Sequence, residues 1–458
     1  MAGRRQSLRG GRAARCVPVA VLVALGVIAL LLWSPRPAAA SPLLVVDRGL
    51  LEVVDDPLLP GPLAAQAPGA RQRGPLDGLE DLLPFLDPGP PPPLPDQPPP
   101  GPPPDKPPPS SDRDPPGPRR GKQDLGEGSL GTVLGRARRR GVLSARDHRG
   151  MRAILRQANR TRSRLGGQRR RELSGVMLAA QRLARRGRLT TGRLEVVFLQ
   201  MKRNAQYWRR HGTPRAGTRV SFSGSPIVFQ YFPGQGLQFH PLANFGRANA
   251  LYNACATGKR GACRRQTLRR YLDQLARLGS TRAGGFLTWE YFFSFGGGSP
   301  PWTSGMSQGT ALQAFARSAR LLDEPRYRRY ARQMLGAFSR RPTNGVRVNS
   351  SGGRHYLLYS FDRRLRVLNG HLQATIGLFD HARATASRRS RGLYRAGSRS
   401  ALRELHRYDL GNWSRYAQGG GRASREYHEL VTVFLERLCQ RTGHRTYCRY
   451  AKRFRGYL

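Results

Sequence analysis

The sequence is short of acids, of lysine and of cysteine. Against 79 Lys+Arg it sets 28 Asp+Glu, a formal net charge of +51. A strongly cationic ligand is disfavoured by that balance and an acidic one is electrostatically easy. Lysine supplies only five of the 79 cations. An arginine excess of that kind follows from a GC-rich genome as readily as from binding. No alternation of basic and aromatic residues accompanies it, so nucleic acid is not an expected partner. The hydrophobic share, 38% of 458 residues, is below the globular norm, and part of the chain is not expected to pack. Long apolar runs are almost absent. Only residues 17–33 are apolar enough to enter a bilayer, which excludes a multi-pass membrane protein. No Walker A, HExxH, EF-hand or G-x-S-x-G pattern occurs, so nucleotide, zinc-protease and serine-hydrolase readings have no basis. Neither a metal nor a cofactor is expected. One GxGxxG string, Gly126 to Gly131, follows prolines rather than a strand and reads as a flexible joint.

The apolar run follows Arg4, Arg5, Arg9, Arg12 and Arg15 and precedes Ala38-Ala39-Ala40. A basic start, an apolar core and a small-residue site make an export leader over residues 1–40. Left uncleaved, it would anchor the chain in the cytoplasmic membrane. The expected location is therefore extracytoplasmic, secreted or anchored. Of the five cysteines, Cys16 lies in this leader. Cys255/Cys263 and Cys439/Cys448 are close pairs, which in an exported chain suggests two local disulfides; four buried thiols are the alternative. No CxxC or HxxxH spacing points to a metal.

Residues 41–123 read as a disordered tether. Eighteen prolines fall within the thirty-one residues 88–118, a composition for polyproline II rather than helix or sheet. Residues 124–216 read as a basic helical lead-in of about three amphipathic helices: Met151, Ile154 and Leu155, then Leu173, Val176, Met177, Ala180 and Leu183, then Leu194, Val197, Phe198 and Met201 recur at three and four residues. They read as a packed cap, with a membrane-surface role the sharper alternative. After Gly217, Val220, Phe222 and the apolar segment from Ile227 to Phe232 indicate a short strand or hairpin. From Pro241 onward the helical period returns in pairs, separated by glycine- and aromatic-rich loops at 286–302, 345–361 and 411–421. Paired helices that each bury one face predict a mostly α fold, an α/α toroid (an incomplete α/α barrel) or a solenoid, over residues 217–458 with short β-hairpins. The loops between pairs would line its concave end.

Several motifs stand in a fixed order. They are Trp302-x-Ser304-Gly305-Met306-x-Gln308-Gly309, Tyr359, Val367-Leu368-Asn369-Gly370, Ile376-Gly377-Leu378-Phe379-Asp380, Tyr408-Asp409-x-Gly411 and Tyr427-His428. Together they resemble the C-terminal domain of D-glucuronyl C5-epimerases, from about residue 227 to the end, with a lead-in like that of bacterial members. The resemblance implies an α/α toroid, a uronic acid-containing polysaccharide such as heparosan as partner, and inversion at C5 of glucuronate. It implies catalytic roles for Tyr359, Tyr416 and Tyr427. A homodimer is compatible with it. The chain also departs from the family: where eukaryotic members carry Tyr-Glu-Glu-Tyr, it has Tyr356-Leu357-Leu358-Tyr359, so the family glutamate falls on Leu358, and a family arginine falls on Gly419. Glu290 and Glu426 are carboxylates that would have to substitute, Arg415, Arg422 and Arg425 the cations; both carboxylates read first as surface or salt-bridging residues.

The chemistry is consistent with these residue types. C5 of a uronate lies α to a carboxylate, so inversion needs a base on one face, an acid on the other, and donors for the developing enediolate. Phenols serve as donors when neutral and as bases when ionised beside a cation. Asn369, Gln308 and His428 are candidates for orienting the substrate carboxylate. Trp302, Tyr231 and Phe239 are candidates for stacking on sugar faces. Ser304 opens a helix whose free N–H groups suit an anion, and His240, before Pro241, reads as a loop residue with a lesser claim on substrate. Two other functions remain open on the sequence: a polysaccharide lyase on the same substrate class, and a non-catalytic polysaccharide-binding protein.

Overall fold

The computed structural model describes residues 41–47, 50–56, 124–257 and 263–458. The leader and the proline-rich segment 57–123 lie outside the described residues. Among the described residues no helix is long and apolar enough to cross a membrane.

The first elements correct the tether reading over residues 41–56 alone. β1 (Ser41–Asp47) and β2 (Leu50–Asp56) form an antiparallel hairpin, and β1 runs parallel to β3 (Arg219–Phe222). With β4 (Ser225–Phe232) and β5 (Gly236–Phe239) they make a five-stranded sheet ordered β2-β1-β3-β4-β5. The Leu43-Leu44-Val45-Val46 run is β-prone, and Leu43 and Val46 are buried against the sheet.

Four helices make the lead-in: α1 (Leu130–Arg139), α2 (Ala145–Arg164), α3 (Gly167–Arg185) and α4 (Thr191–Trp208). The first was not foreseen. Its start, the GxGxxG string, is pinned: Ser129 caps the helix, Gly128 N donates to the Ala184 carbonyl, and Arg140 reaches the Asp124 carbonyl at 2.7 Å. The lead-in packs onto the sheet through Glu172 of α3. That fully buried carboxylate accepts the Tyr231 hydroxyl at 2.8 Å and the N–H groups of Gly234 and Gly236 at 2.9 Å.

The expected helical hairpins follow. They are α5 (Pro241–Ala256) with α6 (Arg265–Arg277), α7 (Gly305–Leu321) with α8 (Pro325–Met334), α9 (Leu368–Thr385) with α10 (Arg388–Glu404), and α11 (Arg425–Thr442) with α12 (Arg445–Arg455). α5, α7, α9 and α11 pack in sequence as an inner row, and each second helix lies against its own partner outside. The outer helices are amphipathic, with leucine, tyrosine and alanine inward and arginine outward. Of the inner ones, α7 and α9 are buried over nearly their whole length. Disulfide Cys255–Cys263 ties α5 to the segment just before α6, and Cys439–Cys448 joins α11 to α12. Short hairpins, β6 (Ser280–Arg282) with β7 (Phe286–Thr288) and β8 (Arg347–Ser350) with β9 (Gly353–Tyr356), sit in the connections between pairs.

The inner row is held by close approach and by polar groups. A Cβ on Gly377 of α9 would overlap the Gly309 carbonyl of α7, and one on Gly309 would stand 2.8 Å from the Ala374 Cα. Around that contact a buried hydrogen-bonded chain crosses all four inner helices. Asn249 of α5 donates to the Thr310 carbonyl at 3.0 Å, Gln373 of α9 donates to the Thr310 hydroxyl at 3.2 Å, and Gln313 of α7 and Arg441 of α11 meet Asp380 of α9, the latter at 2.8 Å. Each of these bonds reaches a neighbouring helix, so separating any pair would leave further buried polar atoms without partners. Gly377→Ala should therefore destabilise the protein by on the order of 3 kcal/mol through overpacking. Thermal unfolding checks this, and an unchanged melting temperature would show that the two helices can part without cost.

Candidate active site

The connections that precede the inner helices all open at the N-terminal end of the inner row. Tyr359 comes from the stretch between β9 and α9. Tyr416 comes from the loop between α10 and α11, and Tyr427 from the first turn of α11. That loop is fixed by an antiparallel bridge, Val367 with Ala417, and by the Gln418 N–H, which donates to the Arg366 carbonyl at 3.1 Å.

The three tyrosines meet. The Tyr359 and Tyr416 hydroxyls are 3.4 Å apart, and the Tyr416 and Tyr427 rings pack edge to face at 4.7 Å. Tyr359 is 3% exposed, whereas Tyr416 and Tyr427 are half-buried and open to solvent. Tyr359 lies in an aromatic box: Phe361 stacks on it at 5.4 Å, Phe295 stands at 5.7 Å, and Trp302 meets it edge-on at 5.9 Å. Trp302 is 1% exposed, stacks on Tyr291 at 4.1 Å and donates to the Phe293 carbonyl. It is the floor beneath Tyr359 rather than a platform for a sugar. Phe295 and Phe361 were missed in the sequence, because nothing in their spacing distinguishes them from core.

The floor is held from below by Glu290. This buried carboxylate takes a two-pronged contact from Arg193 of α4, at 2.7 and 2.9 Å, and a third from Arg282 of β6 at 2.6 Å. Arg282 also reaches the Pro301 carbonyl at 3.2 Å, next to Trp302. Burial alone would raise the Glu290 pKa, but the two guanidiniums overcome it and hold the carboxyl at about 2. Glu290 is thus a structural clamp and no proton donor.

Most of the polar candidates are engaged inside the fold. Gln308 spans the backbone of Trp289, donating to its carbonyl at 2.9 Å and accepting its N–H at 3.4 Å. Ser304 caps α7 by accepting from Ser307, while the Gly305 N–H donates to the Leu357 carbonyl at 2.8 Å. That helix start is buried and closed, which corrects the anion-site reading. His428 is buried, with Nε2 on the Phe454 carbonyl at 2.9 Å and Nδ1 on the Ser414 hydroxyl at 2.8 Å, and it stacks on Trp413. Burial lowers its pKa, so the neutral ring donates from Nε2 and accepts at Nδ1. It pins the Tyr416 loop to α11 and α12. Tyr231 is bonded to Glu172, Phe239 is fully buried, and His240 caps α5 by accepting from Ala243 at 3.1 Å. Tyr231 and Phe239 belong to the sheet, and His240, at its junction with α5, packs edge-on against Tyr291 beneath Trp302.

Asn369 differs. It is 1% exposed at the start of α9; its Oδ1 accepts the Gly370 N–H, and its Nδ2 has no hydrogen-bond partner. The preceding residue, Leu368, turns its N–H toward the Tyr416 carbonyl at 3.5 Å. Leu358 is fully buried against Gly370, and Gly419 sits at φ +68° in an exposed turn. Of the arginines considered in their place, Arg415 donates to the Gly420 carbonyl at 2.9 Å, Arg422 lies over the Trp413 ring, and Arg425 pairs with Glu429. Glu426 is half-buried in the first turn of α11, beside Tyr427. Among the described residues no cluster of His, Cys, Asp and Glu could hold a metal ion.

The paired helices thus carry a phenolic cluster at one end of their inner row. Residues 283–456 match the family described as D-glucuronyl C5-epimerase C-terminus, and the three tyrosines, Trp302 and Asn369 fall within that match. Tyr231 and His240 fall outside it. Over 177 residues the chain is 27% identical to an uncharacterized protein of Methanocaldococcus jannaschii; the alignment covers 37% of this chain and 58% of that protein, less than two thirds of its length. Cellobiose 2-epimerase from Bacillus thermoamylovorans is similar with 13% identity and a TM-score of 0.37, over 63% of this chain and 74% of the other. The enzyme of the same name from Spirochaeta thermophila gives 16% and 0.36, over 62% and 72%.

The Glu290 clamp generates a pH-dependent expectation. Its folded pKa is depressed, so its contribution is present above the ordinary value of 4.5 and is lost as pH falls toward about 2. Glu290→Gln should cost on the order of 3 kcal/mol at neutral pH. The gap in melting temperature between wild type and variant should close between those two pH values; a gap constant with pH would mean that the clamp does not depend on charge.

Proposed function

We propose that the tyrosine cluster inverts C5 of glucuronate residues in an acidic polysaccharide, by removing and returning the C5 proton. The observation that carries this reading is the convergence of three phenols, from segments up to 68 residues apart, at the open end of a toroid that matches the epimerase family. The phenols divide into two parts. Atoms on opposite faces of a sugar ring must stand about 7 Å apart, twice the contact distance of ~3.5 Å. The Tyr359 and Tyr416 hydroxyls, at 3.4 Å, are too close for that and act on one face as a pair sharing a proton. Tyr427 is left for the other face. Proton removal at C5 puts charge on the substrate carboxylate, and the Asn369 Nδ2 is the donor next to the Tyr416 loop with an N–H to offer. Phenols take over proton transfer where the family glutamate is replaced by Leu358.

That replacement is also what favours the second reading, a non-catalytic polysaccharide-binding protein. The leader-like segment 17–33 would place either protein outside the cytoplasm, where such polymers lie.

Incubating the protein with heparosan in deuterated water tests the proposal. Deuterium at C5 of an intact chain is expected. Binding without exchange would leave the binding-protein reading, and cleavage with a new double bond would indicate a lyase. Tyr416→Phe and Tyr427→Phe should each lower exchange by on the order of a hundredfold or more, with the fold retained. Asn369→Ala should lower it by about tenfold or more while costing only about 1 kcal/mol of stability. Exchange unaffected by Tyr427→Phe would remove that residue from the mechanism.

A further inference from the structure

At the opposite end of the inner row lies a second polar cavity, of about 640 Å3. It is formed where α9 turns into α10, with α7 and α8 alongside. Arg320, Arg328, Arg332 and Arg383 line it, with His381, Thr385 and Ser387. Twelve residues of α9 separate His381 from Asn369, on the order of 18 Å along the helix, so this cavity is distinct from the tyrosine site.

Four arginines on so basic a chain say little by themselves, since they are exposed and arginine is everywhere on this surface. His381 says more. It is 1% exposed, lines the cavity, and its Nε2 has no hydrogen-bond partner. Its other nitrogen is accounted for. The Thr385 hydroxyl donates to the His381 carbonyl at 2.7 Å and lies 3.4 Å from Nδ1; the tautomer with its proton on Nδ1 satisfies that second contact and leaves Nε2 as an acceptor. Burial, then Arg332, lowers the His381 pKa to about 4, which keeps the ring neutral at physiological pH. A buried acceptor without a donor costs free energy that a ligand hydroxyl would recover. Beside it, Ser387 caps α10, whose first-turn N–H groups and positive dipole end favour an anion. Among the described residues no carboxylate lines the cavity; the neighbouring Asp380, whose charge reaches Arg383, is bonded instead to Gln313 and Arg441.

The cavity therefore asks for a ligand with two features: a hydroxyl to donate to His381 Nε2, and an anionic group for the arginines and the α10 N-terminus. A bare metal cation is repelled. A neutral sugar leaves the guanidiniums unused. A hydrogen phosphate ion has both features but fills little of a volume suited to a small organic ligand. An acidic sugar residue, with hydroxyls adjoining a carboxylate or sulfate, has both features and the size. We infer that this cavity is a second binding site for an acidic saccharide, at the end of the toroid away from the tyrosines. Its existence does not require the tyrosine cluster to be catalytic. A long acidic polymer that occupied both ends would be retained between encounters with the tyrosine site, because the second contact raises its effective concentration there.

Calorimetric titration of the full chain at about physiological ionic strength tests this. The probes are a heparosan hexasaccharide, inorganic phosphate, and neutral cellohexaose. The hexasaccharide is expected to fill two classes of site. Arg332→Gln with Arg383→Gln should weaken one class by about tenfold or more. His381→Phe, which keeps the ring and removes the acceptor, should weaken the same class. The matched pair Arg146→Gln with Arg149→Gln, on the exposed surface of α2, should leave both classes intact. Identical isotherms for wild type and cavity variants would overturn the inference. So would a loss confined to phosphate, equal binding of cellohexaose at this site, or an equal loss in the matched control. Deuterium exchange at C5 separates this inference from the catalytic one. Two-site binding without exchange upholds the cavity and defeats the epimerase reading; exchange with unaltered isotherms does the reverse.

Discussion

Everything at the tyrosine end rests on how closely α7 and α9 approach. Gly309 and Gly377 remove the side chains that would hold the two helices apart, and their backbones meet directly. That approach brings Thr310, Gln313, Gln373 and Asp380 within hydrogen-bonding reach of one another, and through them α5 and α11. The inner row is thus set by backbone contact and polar pairing as well as by hydrocarbon. Such contacts have narrow distance requirements, so they fix the helix starts from which the functional loops depart.

The site is assembled from those starts in layers. Glu290 and its two arginines tie the lead-in to the segment carrying Trp302. Trp302, Tyr291 and Phe293 form an aromatic floor, on which Tyr359 stands, itself almost wholly buried. His428 anchors the loop that delivers Tyr416, between Ser414 and Phe454. None of these groups needs to touch a substrate to matter. They hold two phenolic oxygens at 3.4 Å and leave Tyr416 and Tyr427 open to solvent. Preorganisation of this kind is what a weakly acidic phenol requires if it is to exchange protons with carbon.

Much of the architecture was legible in the sequence. Leucine, tyrosine and alanine at three- and four-residue spacing marked the outer helices, and the glycine- and aromatic-rich stretches marked the connections between pairs. Two parts were not. The β1–β2 hairpin was hidden next to a proline-rich segment, because its parallel partner β3 lies more than 160 residues away and no local pattern reveals such pairing. α1 was hidden behind a glycine-rich string that has the composition of a hinge yet is bonded to α3. In the site, the motif residues Ser304, Gln308 and His428 carry polar groups suited to a ligand, and each is used instead for capping, bridging or anchoring.

From its order of residues alone the chain settled its division into helical pairs, the two cysteine pairings to be expected, and the three tyrosines worth watching. Those properties depend on neighbours a few residues apart, or on motifs whose order survives in one dimension. Tertiary structure decided which polar groups bond one another, that Tyr416 meets Tyr359 through its hydroxyl and Tyr427 through its ring, and that His381 turns a bare nitrogen into a second cavity. Hydrogen bonding is the reason: a buried donor or acceptor is defined by whatever lies within about 3 Å of it, and here that partner commonly sits fifty or more residues away along the chain.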